Sequence, residues 1–395
     1  MHFLKTSILV VCCVTSADIF AQLSTDDINN TNVNVPNSIR TAVPFMTIAP
    51  DARSSAMADA GLATSPDVNS QHWNPAKYTF IEQKGGISLS YSPWLRALVD
   101  DMNLLYLTGF WSIDRMQTVS ASLRYFDMGS IPFMDDSGQA LTTGNPNEFA
   151  FDVGYSRKFS EKMSVAIAFR YIRSDISSNV PAVAGTKAKA GNSFAGDIAL
   201  YYQSDVALGD RKATWALGAN FSNLGTKMAY SNEQEKMFLP MNMGIGGSFG
   251  VFFDDYNKVT LAVDLNKLLV PTPPQRDITD QKNIIRGKND NVSVPKAIFQ
   301  SFADAPGGFS EELREIRIGA GLEYTYRNFF AVRTGYHHEN RLKGNRRYFT
   351  MGVGVMLNVF EIDFSYLITP YSNKDPLANT LRFSLIFNMK STGKN

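Results

Sequence analysis

A chain of 395 residues with 19% charged side chains and a net charge of +1 is long enough for two soluble domains, yet its texture changes at no midpoint. The near-zero charge leaves no electrostatic footprint for nucleic acid, and the mean hydropathy is −0.15. Beyond the first residues no apolar run approaches the ~20 residues a transmembrane helix needs. A membrane-spanning reading therefore requires a closed barrel, the alternative that leaves no unpaired backbone in lipid.

In chain order, Lys5 supplies a short basic start and Ile8–Val14 a compact apolar core. Ile19-Phe20-Ala21 then precedes a cut ahead of Gln22, so residues 1–21 are expected to be a Sec signal peptide. A lipoprotein cut at Cys12 does not fit, because bulky Val10 and Val11 precede it. Cys12 and Cys13 both fall in the removed segment, which leaves the mature chain without disulfides or thiolate metal sites. Gln22–Asn34 is rich in Asn, Asp and Thr, and residues 22–40 are expected to be a flexible segment.

Residues 41–85 do not alternate like a strand. Small side chains dominate 52–63, which suits backbone packed tightly inside a lumen. Trp73-Asn74-Pro75-Ala76 reads as a tight turn, since Pro75 biases Asn74 away from the helical region. This stretch is the expected lumen plug.

Period-two alternation fills residues 86–388. Phe149, Phe151, Val153 and Tyr155 alternate with Ala150, Asp152 and Gly154; Ile362, Phe364 and Tyr366 alternate with Glu361, Asp363 and Ser365. Such tracts add up to about fourteen, an even number as in bacterial barrels. Two features separate this pattern from a soluble sandwich. Charges within the tracts share the small-residue face, as a polar lumen requires. Connections also alternate: short ones such as Arg327-Asn328 and Asn358-Val359, long ones such as Asp127–Pro146 and Leu268–Glu315. Short periplasmic turns with long outer loops predict an all-β fold, a transmembrane antiparallel β-barrel whose two ends face the periplasm. Leu381–Phe387 is the expected closing strand, with residues 389–395 as a tail.

Inward positions hold Arg124, Arg170, Arg317, Arg333 and Arg382 against Glu148, Asp152, Asp197, Asp264, Glu323, Glu361 and Asp363. A selective pore tends toward a ring of one sign. Mixed signs suit ion pairs that hold a plug; the bland alternative is solvated residues in an open pore.

The long loop 268–315, expected outside the cell, opens with Pro271-Thr272-Pro273-Pro274 and turns polar over Gln275–Asn291. Lys296–Ala303 is expected to place Ile298, Phe299 and Phe302 on one helical face. Ser310 is the expected cap of a second helix, Glu311–Ile316. These apolar groups either pack down on the barrel mouth or recognise a partner, with Pro306, Gly307, Gly308 and Phe309 in the same candidate surface.

No catalytic, cofactor or metal set emerges. His337-His338-Glu339 lacks a third spaced ligand and a nucleophile motif, and is read as a solvated loop cluster. Gly319-Ala320-Gly321 and Gly352-Val353-Gly354 lie within strands, where they relieve crowding against a plug or permit bending rather than bind phosphate.

Asp51–Ala76, with its Gly/Ala-rich run and Asn-Pro-Ala turn, resembles the plug of FadL-like outer-membrane proteins. The whole mature chain, including Asp304-Ala305-Pro306-Gly307-Gly308-Phe309-Ser310-Glu311-Glu312-Leu313, resembles the PorV (LptO) family, the FadL-like component of the type IX secretion system. The resemblance implies a non-enzymatic protein of the cell outer membrane. It would bind cargo with a C-terminal signal domain at the type IX translocon and pass it to a surface sortase or attachment complex. Two other functions are compatible with such a relative: a channel for hydrophobic small molecules, and an accessory role in lipopolysaccharide O-deacylation, with outer-membrane lipid or lipopolysaccharide as the contact.

Overall fold

The computed structural model describes residues 36–96, 99–134, 140–176, 189–230, 236–277, 279–280, 282–370 and 376–389; the expected signal peptide lies outside them. The alternating tracts become fourteen strands in one closed antiparallel barrel. In chain order these are β1 Gly85–Pro93, β2 Asn103–Ser112, β3 Gln117–Asp127, β4 Asn147–Ser160 and β5 Met163–Asp175. They continue as β6 Gly191–Leu208, β7 Arg211–Gly225, β8 Asn242–Phe252, β9 Asn257–Leu268 and β10 Arg317–Tyr326. The last four are β11 Phe330–His338, β12 Arg347–Leu357, β13 Phe360–Ile368 and β14 Leu381–Asn388. Each strand pairs with its chain neighbours, and β1 closes the ring on β14 in the register Gly86↔Asn388 to Tyr91↔Phe383.

The two faces are chemically distinct. In β3, Val119, Leu123 and Tyr125 point outward and are exposed, while Thr118, Ser120, Ser122 and Arg124 are buried toward the lumen. The outward row continues round the ring through residues such as Phe151, Ile167, Phe169, Ile198, Leu261, Leu322 and Phe349. Exposed apolar side chains of this extent fit a hydrocarbon surround and not water. One end of the barrel has only tight turns. Asp114 and Asp254 accept the amides of Met116 and Tyr256 (2.7 and 2.8 Å), and Asn328 and Asn358 take left-handed conformations, which Asn tolerates better than most residues. The other end carries the long connections, including 269–316.

The segment from Pro36 to Phe80 runs through the lumen from the long-loop end to the short-turn end. At the start, the Asn37 amide donates to Leu342 O (2.8 Å) and its side chain to Pro273 O (3.1 Å) and Glu311 Oε1 (3.2 Å), all in long loops. So residues 36–40, at the end of the segment expected to be flexible, are fastened. The barrel's own two ends do share the short-turn side, but the plug enters from the opposite mouth.

Deeper in, α1 (Ala52–Ala56) is capped by Asp51, which accepts from Ser54 N (2.9 Å) and, on its other oxygen, from Trp73 Nε1 (2.6 Å). A second short helix, α2 (Ser70–Trp73), leads into the expected turn. There Asn74 caps the 3-10 helix Pro75–Phe80 by accepting from Ala76 N (3.1 Å), while its amide reaches Leu62 O and Leu200 O. Wall hydroxyls complete the seat: Ser156 donates to Pro75 O (2.7 Å) and Ser164 to Ala76 O (2.6 Å).

Most of the inward charges are paired with one another or with plug backbone. Arg53 of the plug bridges Asp67 (2.8 Å) and wall residue Glu323 (3.0 Å). Arg333 joins Glu323 (2.7 Å) to Asp363 (2.5 Å), and Arg170 joins Asp152 (2.6 Å) to Asp197 (3.0 Å). Asp264 accepts from the amides of Gly61 and Leu62 (2.7 and 2.8 Å), and Arg382 donates to Ala49 O (3.1 Å). Such pairs contribute little net stability relative to apolar packing, but losing one partner strands a charge and costs about 3–5 kcal/mol.

His337 departs from the expected solvated cluster. Strand periodicity turns it into the lumen, where it is buried, stacks on Tyr348 at 4.7 Å and lies 3.3 Å from Ala58 O through Nδ1. His338 takes the outward face, and buried Glu339 pairs with Arg346 (2.9 Å).

The strand glycines mark the closest approach of plug to wall. A Cβ at Gly321 would sit 2.4 Å from Met57 Cβ, at Gly352 2.4 Å from Ala56 Cβ, and at Gly218 2.1 Å from Leu62 O. Gly321→Val is therefore expected to destabilise the folded barrel by about 1–3 kcal/mol through overpacking. The check is a lower temperature for loss of the fast-migrating folded band in detergent gels.

Candidate functional site

The loop between β9 and β10 builds the largest structure at the long-loop mouth. Its inner layer is apolar: Leu269, Val270, Val292 and Ala297 pack with Phe238 and Met241 of the neighbouring connection, and with half-buried Ile39 of the plug segment. After Pro271–Pro274 the chain makes a small hairpin, Gln275–Arg276 with Ile284–Arg286. It then forms α3 (Val294–Gln300), with Pro295 in its first turn, where a missing amide hydrogen leaves no bond unmade.

α3 ends sooner than expected, and Ile298 does not share a face with Phe299. Ala297 is fully buried and Ile298 packs inward with it, whereas Phe299 is 80% exposed. A step of one residue turns a helix by about 100°, which is why Ile298 and Phe299 separate. Phe302 lies past the helix end and is 44% exposed.

The next helix, α4, spans Phe309–Arg314 and not 311–316, and Ser310 does not cap it. The capping position is Gly308, whose φ of 67° favours glycine, while Ser310 lies inside the helix and donates to Gly307 O (3.3 Å). Phe309 is 76% exposed and Leu313 53%.

The acids of this segment form a clamp. Glu312 accepts from the amides of Asp304 and Ala305 (2.8 and 2.9 Å), and Glu311 from that of Gly307 (2.6 Å), which fixes the Pro306-Gly307-Gly308 bend. Lys267 at the top of β9 donates to Glu312 (2.9 Å) and Glu315 (2.5 Å). Lys343, from the loop between β11 and β12, donates to Glu311 (2.5 Å) and Glu315 (2.9 Å), and Thr272 also donates to Glu315 (2.6 Å). Burial alone would raise the Glu311 carboxyl, but Lys343 and the Gly307 amide hold it below the usual carboxylate range.

Of the candidate residues, then, Phe299, Phe302 and Phe309 stand out from the mouth, Ile298 faces inward, and Pro306, Gly307 and Gly308 shape the bend. The sequence reading missed Lys267 and Lys343, because nothing local ties them to acids more than twenty residues away. Their only trace was three glutamates in a five-residue helical stretch, more acid than a helix start needs.

Glu315→Ala removes the acid shared by both lysines and is expected to weaken this clamp by about 3–5 kcal/mol, the cost of stranding buried charge. Limited proteolysis should then cut within 269–316 while leaving the barrel intact. Acid should loosen the wild-type loop as well. Because the Glu311 pKa is depressed in the fold, its contribution is complete above the unfolded value of about 4.3 and fades as pH falls through the lower folded value.

Similarity to known proteins bears on the family. The chain is similar to the toluene transporter TodX of Pseudomonas putida, with 10% identity over 89% of this chain and 98% of that one and a TM-score of 0.45. It is also similar to the monoaromatic hydrocarbon channel CymD, with 11% identity, 87% and 98% coverage and a TM-score of 0.48. A Pseudomonas aeruginosa FadL homologue aligns at 10% identity over 90% of this chain and all of that one, with a TM-score of 0.37. No curated protein matches the sequence. A family model described as type IX secretion system protein PorV matches residues 30–275. That match covers more than half of the chain, and the protein belongs to the PorV family of the type IX secretion system.

Proposed function

We propose that this protein is a non-enzymatic outer-membrane component that binds cargo bearing a C-terminal signal domain at the type IX translocon and delivers it to a surface sortase or attachment complex. The observation that carries the reading beyond family membership is a plugged barrel that presents large aromatic groups from a clamped loop. Phe299 and Phe302 stand exposed on a mouth whose inner layer is already packed with Ile298 and Ala297. Burying one such side chain contributes roughly 1.5–3 kcal/mol, so two suffice to anchor a protein contact as central aromatic hot spots do.

A channel for hydrophobic small molecules is less well supported. The lumen cavities described are about 90 and 260 Å³ and have mixed linings, in which charged groups such as Arg170, Arg317, Arg53, Asp67 and Glu323 stand beside apolar ones such as Leu62, Trp73 and Phe330. On our reading the intact protein shows little conductance in planar bilayers, and deletion of residues 41–78 raises it. Large steady pores from the intact protein would count against a closed plug.

The docking role is tested by Phe299→Ala combined with Phe302→Ala. Outer-membrane abundance and heat-modifiability should be unchanged. Pull-down of translocon and signal-domain cargo should fall by about tenfold or more, equivalent to 1.4 kcal/mol. Full recovery of both partners by a normally assembled variant would move the docking surface to another loop.

A further inference from the structure

The position of α4 relative to the wall suggests a different contact for part of the same loop. In β9, Leu261, Val263 and Leu265 point outward and are exposed, and Leu265 pairs with outward-facing Ile318 of β10. Lys267 is the next outward position above them, yet it is only 6% exposed, because Glu312 and Glu315 lie on it. The acidic side of α4 therefore reaches over the outer rim of the barrel, with Lys343 holding it from the mouth side.

The opposite edge of this segment is apolar. Phe309, Leu313 and Ile316 recur at helical spacing of four and three residues, and two positions later Ile318 begins the lipid-facing row of β10. Cationic Arg314 follows Leu313 in the last turn. An exposed apolar edge at Phe309 and Leu313, followed in the chain by half-buried Ile316 and then by the lipid-facing row that starts at Ile318, with a cation beside it, has the chemistry of an interfacial membrane anchor.

We propose that the Phe309–Leu313 edge of α4 is seated in the lipid of the leaflet at the long-loop end, extending the barrel's lipid contact above the wall. Phe309 is then a lipid contact and not part of the protein-docking surface, which narrows to Phe299 and Phe302. The occupant is acyl chain and headgroup boundary. The clamp of Lys267 and Lys343 holds the helix at the height where the lipid-facing row ends.

The experiment uses full-length protein purified from the outer membrane and reconstituted in phosphatidylcholine vesicles. Leu313→Cys and Phe299→Cys are each labelled with an environment-sensitive fluorophore, since Cys12 and Cys13 are the chain's only natural thiols and precede the expected cut. Phe309→Cys serves as a second probe of the same edge, and retention of the heat-modifiable band confirms folding. Nitroxide on the upper acyl chain should quench the probes at 313 and 309 at least about threefold more than the probe at 299, and aqueous iodide should show the reverse order. Equal iodide quenching at all three positions would overturn the proposal, because the edge would then face water. Protection of 313 from both quenchers would overturn it too, because the edge would then be covered by protein.

Discussion

The hydrogen-bonded seam between β1 and β14 is the constraint on which the rest of the molecule depends. Without it the sheet has two unpaired edges, and an unpaired backbone group in hydrocarbon costs several kcal/mol. The seam fixes the ring at fourteen strands, and with it the width of the lumen. That width in turn decides how much chain the lumen can hold. Closure also sets strand parity, so that along the middle of each strand inward positions face the lumen and outward ones the surround. Across the middle of the wall charge lies on the lumen side only, and outward-phase charges such as Arg157, Arg173 and Asp175 sit near strand ends.

Inside the ring, polar groups do the work that an apolar core does in a soluble protein. Arg53, Asp264, Arg382, Ser156 and Ser164 each connect wall to plug through a hydrogen bond or ion pair. None of these contacts is strongly stabilising by net energy. Each is exacting in position, however, since a displaced plug would leave several buried groups unpaired together. The plug's place is therefore specified by polar complementarity, and its closeness by the wall glycines that admit it.

Much of this is legible in the sequence alone. Strand count, face assignment and loop parity follow from a period of two, which survives in a single sequence because lipid and lumen demand opposite chemistry. The Asn74-Pro75 turn was also readable, since proline constrains its neighbour locally. Legibility failed where partners are distant. His337 looked like part of a polar loop cluster because it adjoins His338 and Glu339 where the strand meets a loop, while the group that meets its ring, Ala58 O, is far away in sequence. Ile298, Phe299 and Phe302 looked like one face, but Ile298 joins the buried layer of Leu269, Val292 and Ala297, a contact with residues that nothing local announces. Ser310 looked like a cap, but with the glutamates held by Lys267 and Lys343 the helix starts two residues earlier, at Phe309.

The route of residues 36–80 has a consequence for how the molecule is made. This segment begins among the long loops, held by Asn37, and leaves at the opposite mouth into β1. Its side chains and backbone approach the wall so closely that Gly218, Gly321 and Gly352 leave no room for one more carbon. A chain end carrying Arg53, Trp73 and Tyr78 would have to be threaded lengthwise through such a filled tube if the ring were already shut. A sheet that is still open can instead curl around the segment sideways. Closing the β1–β14 seam last would avoid that threading, with the sheet wrapped around the segment and the plug acting as a template for the wall before it is a stopper.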